Sequence, residues 1–141
     1  ANGEIPAYIK TGLNVVHVDD VARGHLLALK KGIIGERYIL GGENLTFKEI
    51  LELVSECTDK AAPTISIPHN IVLPIAYLVQ AWATITNSSE PFVTVDGVRM
   101  AKQIMYYNSN KAKLELGYKS RPAKEAIQDA IKWFGEYGYL H

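Results

Sequence analysis

The stretch from Leu13 to Gly32 constrains the fold most strongly. Leu13-Asn14-Val15-Val16-His17-Val18 is dense in β-branched residues and predicts a short strand that stops at Asp19-Asp20. Asp20 suits a helix N-cap, because its carboxylate can accept from the unpaired amides of the next turn. Val21, Ala22, Leu26 and Leu29 follow at helical spacing. Lys30 and Lys31 complement the negative end of the helix dipole, and Gly32 suits the C′ position. A strand that turns directly into an amphipathic helix is a building unit of layered α/β structures.

A second unit follows. Arg37-Tyr38-Ile39-Leu40 predicts a strand closed by Gly41-Gly42. Thr46 and Glu49 then form a capping box, Leu45 and Ile50 occupy the staple positions, and Phe47, Ile50, Leu51 and Val54 make the buried face of the next helix. Beyond Pro63 the pattern becomes mainly helical. Thr64 to Ile67 is a brief extended stretch, with Ile65 and Ile67 on one face between prolines. Ile71 to Ile85 is apolar except for Gln80, Thr84 and the tip of Tyr77. This run falls short of the about 20 apolar residues of a bilayer span and holds Pro74 near its first turn, so it predicts a helix covered by protein on most sides. Ser88-Ser89-Glu90-Pro91 opens a further helix, with Phe92 to Val95 as an alternative strand. Asn108 or Ser109 caps a short helix through Leu116 that Gly117 ends. Pro122 suits the first position of a last helix, whose face is Ile127, Ala130, Ile131 and Phe134. No repeat or linker divides the chain. Residues 1–62 carry the two strand–helix units and 63–141 the mainly helical portion, together one compact unit.

Composition narrows the function. A chain of 141 residues, 48% of them hydrophobic, can bury a core. Its 15 basic residues balance its 15 acidic ones, so it lacks the basic surplus of a nucleic-acid-binding domain. The lone Cys57 cannot close an internal disulfide, and the start Ala1 to Pro6 lacks a signal-peptide layout. A reducing cytoplasm is the expected location.

Two clusters invite a chemical reading. His17, Asp19, Asp20 and His25 fall within nine residues, but they straddle a strand, its turn and a helix. They match no zinc spacing, so no metal site is expected. Tyr107 and Lys111 have the Tyr-x-x-x-Lys spacing, in which Lys lowers the Tyr pKa for proton transfer. The intervening Asn108-Ser109-Asn110 favours caps and turns over a shared helical face, so this spacing reads as coincidence. The 11 glycines nowhere form Gly-x-Gly-x-x-Gly after a strand, which leaves no phosphate-cradling turn and no bound cofactor expected for the chain alone.

Gly12 to His25, Gly35 to Thr46, Asp96 to Ala101, Asn108 to Ala112, Glu115 to Tyr118 and the ending Ala126 to Tyr139 together resemble the later part of extended short-chain dehydrogenase/reductases. The nearest group is the NAD-dependent epimerase/dehydratases, among dihydroflavonol 4-reductase-like proteins and hopanoid-associated sugar epimerases. The resemblance implies an α/β fragment: edge strands of a Rossmann-type sheet plus a mainly helical substrate-binding domain. It also implies that the glycine-rich turn and the catalytic Tyr-x-x-x-Lys belong to an upstream part, with NAD or NADP used by the full-length family on a sugar nucleotide or flavonoid-like substrate. Nucleotide-sugar epimerases often place Arg-Asp-Tyr before the Ile-His-Val segment to hold a diphosphate. Gly12-Leu13-Asn14 stand there in this chain, without the charge or the aromatic ring. Arg99 lies near the family's second phosphate-contacting Arg. Arg99, Met100, Tyr106 and Asn14 are the implied substrate-binding residues, and no catalytic, cofactor-binding or metal residue is assigned. A half sheet leaves apolar surface to cover, which predicts homo-oligomerisation. The alternative reading is a stand-alone oligomerisation or membrane-surface module acting through Ile71 to Ile85.

Overall fold

The computed structural model describes residues 7–86 and 95–140. In chain order these form β1 (Ala7–Ile9), β2 (Gly12–Val15), α1 (Val18–Lys31), β3 (Glu43–Thr46), α2 (Phe47–Thr58), β4 (Ile65–Ile67), α3 (His69–Thr86) and α4 (Val95–Ala101). A π-helical turn (Ala112–Leu116) and α5 (Ala123–Glu136) follow. The fold is a small α/β structure of few strands and mostly helices. β1 pairs in parallel with β4, Ala7 opposite Ile65 and Ile9 opposite Ile67. β2 pairs antiparallel with β3, from Gly12 opposite Thr46 to Val15 opposite Glu43.

The core has two centres. Val72 and Ala76 of α3 meet Val95 and Val98 of α4 over Ile9 and Ile67. Ala112, Leu116 and Tyr118 pack against Leu27 and Ala28 of α1 and against Tyr38 and Leu40. Gly117 closes the π-helical turn in the left-handed region at φ 73°, which a residue without Cβ adopts at little cost. The widened turn lets the Ala112 carbonyl accept from both the Gly117 and Tyr118 amides. The Asn108 Oδ1 accepts from the Asn110 amide at 2.8 Å just ahead of this turn, whose own N-cap, Lys111, makes no side-chain cap bond, so neither Asn108 nor Ser109 is its N-cap.

Several boundaries differ from expectation. α1 starts earlier than Asp20 predicts, because His17 is the N-cap. Its backbone is extended, and its Nδ1 accepts from the Asp19 amide at 3.1 Å. Gly32 is the C-cap itself, its amide donating to the Ala28 carbonyl at 2.8 Å. Arg37 to Leu40 joins no ladder among the described residues, although Tyr38 and Leu40 face the core while Ile39 is exposed, the alternation of a strand. Strand pairing falls instead on Glu43–Thr46, where Asn44 meets Asn14. Pro74 is the sixth residue of α3, so the Asn70 carbonyl lacks its i+4 donor. α3 is not covered on most sides: Val72 and Ala76 are buried, whereas Ile71, Ile75, Leu78 and Trp82 are exposed. Val95 begins a helix, and the predicted start at Ser88 to Pro91 lies outside the described residues. Pro122 is the N-cap of α5, one residue before the expected position.

The capping box of α2 forms as read: the Glu49 amide donates to Thr46 Oγ1 at 3.2 Å and the Thr46 amide donates to Glu49 Oε2 at 2.7 Å. Thr46→Ala is expected to lower the unfolding free energy by about 1 kcal/mol in urea titration. Tyr118 is only 2% exposed, and its hydroxyl has no hydrogen-bond partner among the described residues. Burying an unpaired hydroxyl opposes folding, so Tyr118→Phe should unfold at the same or a higher urea concentration, a gain of up to about 1 kcal/mol.

Candidate functional site

β2 lies between two neighbours. β3 flanks one edge. Along the other, the Met105 amide donates to the Gly12 carbonyl at 2.8 Å, Leu13 bridges Met105, and Thr11 Oγ1 donates to the Gln103 carbonyl at 3.2 Å. The chain leaving α4 is thereby held beside β2. Tyr106 packs on Gly12 so closely that a Cβ there would come within 2.4 Å of the ring, which explains a glycine inside the strand.

Side chains lock this seam. The Asn14 amide nitrogen donates to Asn44 Oδ1 at 2.7 Å, and Asn14 Oδ1 accepts from the Gly42 amide at 2.8 Å. Asn44 exchanges two 3.1 Å bonds with the Tyr107 backbone. The buried Ser109 hydroxyl accepts from the Gly41 amide at 3.0 Å and donates to the Gly41 carbonyl at 3.1 Å. Asn14 therefore holds the Gly41-Gly42 turn and Asn44, which in turn holds the Tyr107 backbone, and its amide is occupied by protein groups.

Of the residues singled out by the sequence, Asn14 and Tyr106 meet at this seam. Arg99 and Met100 are exposed on α4, whose C-terminal end leads into it. The Arg99 guanidinium donates to the Tyr77 hydroxyl at 2.7 Å, lies 5.9 Å from the centre of the Tyr77 ring, and stands 3.7 Å from Asp96. Tyr107 sits in a non-helical strip and Lys111 pairs with Glu36, so the two do not act together. His25 bonds the Val21 carbonyl and His17 bonds Asp129, while Arg121 meets Asp20 at 2.9 Å and Asp19 at 4.0 Å, and Asp19 stands 3.8 Å from His17 Nδ1. Among the described residues no group of three or more His, Cys, Asp or Glu could hold a metal ion.

Sequence reasoning missed a second polar centre. Asp20, 2% exposed, accepts from the Arg121 amide at 2.8 Å and from its guanidinium at 2.9 and 3.1 Å. The Arg121 amide, helped by the guanidinium, holds the Asp20 carboxyl below its ordinary value against the opposing effect of burial. Beside it, His17 Nε2 lies 2.8 Å from Asp129 Oδ2 of α5, at the edge of a groove of about 610 Å³ walled by Val18, Trp133 and Phe134. The Glu43 carboxylate accepts from the Ala123 amide at 3.1 Å, capping α5. These partners lie 80 to 112 residues apart, beyond any local spacing rule.

No family model matches the chain. It is 41% identical to a protein of Synechocystis sp. provisionally named dihydroflavonol 4-reductase, over 97% of this chain and 41% of that protein. The crystal structure of the protein gox2253 matches with a TM-score of 0.78 and 46% identity, covering 99% of this chain and 42% of the other. A nucleoside-diphosphate-sugar epimerase from Pseudomonas aeruginosa matches with a TM-score of 0.70 and 30% identity over 99% of this chain and 41% of its own. The chain is homologous to a part of these reductase and epimerase proteins. It corresponds to their C-terminal portion and spans about two fifths of their length. The fold is shared more distantly, at a TM-score of 0.54 and 18% identity, with a UDP-glucose 4-epimerase from Bifidobacterium longum solved with NAD+ and UDP. That match covers 89% of this chain and 30% of the epimerase.

The depressed Asp20 carboxyl contributes stability that is present above the ordinary carboxyl range and is lost as pH falls through its folded value. Asp20→Asn is expected to lower the unfolding free energy at pH 7 by roughly 2 kcal/mol, the scale of a hydrogen-bonded charge. In urea titrations at successive pH values, the gap between the two proteins should narrow on acidification.

Proposed function

We propose that this chain is the substrate-binding portion of an NAD(P)-dependent epimerase/dehydratase or dihydroflavonol 4-reductase-like oxidoreductase. The dinucleotide and the proton-transfer groups are supplied by the rest of a longer protein, and the chain alone does not catalyse. One observation carries the reading: nearly all of this chain aligns with about two fifths of its relatives, and it contains no glycine-rich phosphate turn. Residues 1–62 act as the sheet edge, and residues 63–141 as the helical part that faces the substrate.

Arg99, Met100 and Tyr106 form the substrate side in this reading, with Asn14 setting the strip that presents Tyr106. Arg99 supplies the charge for an anionic group, at the cost of its bonds to Tyr77 and Asp96. The apolar face of α1, exposed at Leu26 and Leu29, is covered by the remainder of the longer protein or by a second copy of the chain. A cytoplasmic location accords with the single thiol of Cys57.

Titration of the ¹⁵N-labelled chain with UDP-glucose and, separately, with a dihydroflavonol tests the assignment. Saturable shifts at the Arg99, Met100 and Tyr106 amides with one of the two probes are expected, and Arg99→Gln should weaken UDP-glucose binding about tenfold if that probe binds. Absence of shifts there with both probes would overturn the site.

A further inference from the structure

The buried ring of His17 is asked to accept on one side and to donate on the other. Its Nδ1 accepts from the Asp19 amide at 3.1 Å and so caps α1, and a ring nitrogen that accepts carries no proton. Its Nε2 lies 2.8 Å from Asp129 Oδ2 of α5, and a carboxylate only accepts, so Nε2 carries the proton. The two contacts together select one form of the ring, neutral with the proton on Nε2.

A second proton can enter only at Nδ1. There it would point at the Asp19 N–H, replacing an acceptor by a donor and ending the cap. The positive charge so created has partners at hand. Asp19 Oδ2 stands 3.8 Å from Nδ1, and Asp129 already meets Nε2. From α1 the ring also faces Asp20, which is matched by Arg121 at 2.9 Å and approached by Arg23 at 3.8 Å. Arg121 reaches Asp19 as well, at 4.0 Å. From α5, Lys132 and Glu136 line the groove with His17 and pair with each other at 3.9 Å. Protonation thus exchanges a helix cap for ion pairs.

We propose that His17 is a proton-operated clasp at the start of α1: neutral, it caps the helix and donates to Asp129; protonated, it releases the Asp19 amide and pairs as a cation with Asp19 and Asp129. Histidine ordinarily changes charge between about pH 5 and 8, a range in which ordinary aspartates are ionised. The exchange frees the first turn of α1 beside the groove between Val18 and Trp133, while the link to α5 is strengthened. The inference does not depend on the proposed substrate role.

Long-range ¹H–¹⁵N spectra of the 141-residue chain, recorded from about pH 8 to about pH 5 together with amide hydrogen exchange, test it. At the upper end the His17 ring should show a protonated Nε2 and a bare Nδ1. On acidification Nδ1 should gain its proton, and the Asp19 amide should shift along the same curve and exchange about fivefold faster relative to its intrinsic rate, the scale of one lost cap. His17→Asn identifies the ring signals by their loss, and because an Asn side chain also caps, Asp19 should keep its protection and lose its pH response. Asp129→Asn leaves Nε2 an acceptor without charge and should move the His17 midpoint to lower pH, which keeps the test open if His17→Asn does not fold by circular dichroism. A protonated Nδ1 at about pH 8, or a ring still neutral at about pH 5, would overturn the inference. So would a ring that titrates while the Asp19 amide keeps its shift and its protection.

Discussion

The pairing of Asp20 with Arg121 is the constraint on which the arrangement of the elements depends. A carboxylate 2% exposed must be matched by a charge and by donors, and Arg121 supplies both from its guanidinium and its own amide. The match can form only when the first turn of α1 lies against the segment that enters α5. His17 to Asp129 also joins the start of α1 to α5, and Glu43 to the Ala123 amide joins β3 to the start of α5. Three polar contacts, each more than 75 residues apart in sequence, thereby fix where α5 sits relative to β2 and α1. Buried ion pairs are costly to desolvate, and here the cost is offset by the charge-assisted bonds that Arg121 donates to both carboxylate oxygens.

That geometry sets up the seam beside β2. With α1 and β3 placed, Asn14 and Asn44 stand opposite each other and bind the Gly41-Gly42 turn and the Tyr107 backbone. The strip from Gln103 to Ser109 is then held against β2 by backbone and side-chain bonds on a rigid base. Residues proposed to face a substrate leave this base on one short stretch, from Arg99 through Tyr106. A site built so draws its order from the polar seam more than from the helix that carries Arg99.

Local signals were legible in the sequence and distant ones were not. The Thr46–Glu49 box, the Gly117 stop and the Ile65–Ile67 strand depend on neighbours within a few residues, and each forms as read. Asp20 suits a cap by its place before a helical pattern. Its true partner is 101 residues away, and the cap passed to His17, whose ring nitrogen serves the same amide chemistry. Arg37 to Leu40 keeps the alternation of a strand without a ladder, since a strand is defined by its neighbour as much as by its own residues. The apolar content of Ile71 to Ile85, its length and Pro74 predict a helix covered by protein, whereas Ile71, Ile75, Leu78 and Trp82 are exposed. Hydropathy reports how apolar a helix is, and does not report whether anything lies on it.

The neutral, apolar balance of the chain takes on a different meaning in this light. Much of the apolar content of α1 and α3 lies on faces that meet water in the isolated chain, as expected of a portion shaped to work with more protein or with a surface. In the proposed division of labour, substrate contacts reside in this chain and the dinucleotide site in the rest of a longer protein. Isothermal titration of the purified 141-residue chain with NADH and NADPH tests it most directly. No saturable heat is predicted at micromolar to submillimolar cofactor. A saturable isotherm of unit stoichiometry with either cofactor, lost on unfolding the chain, would contradict the account.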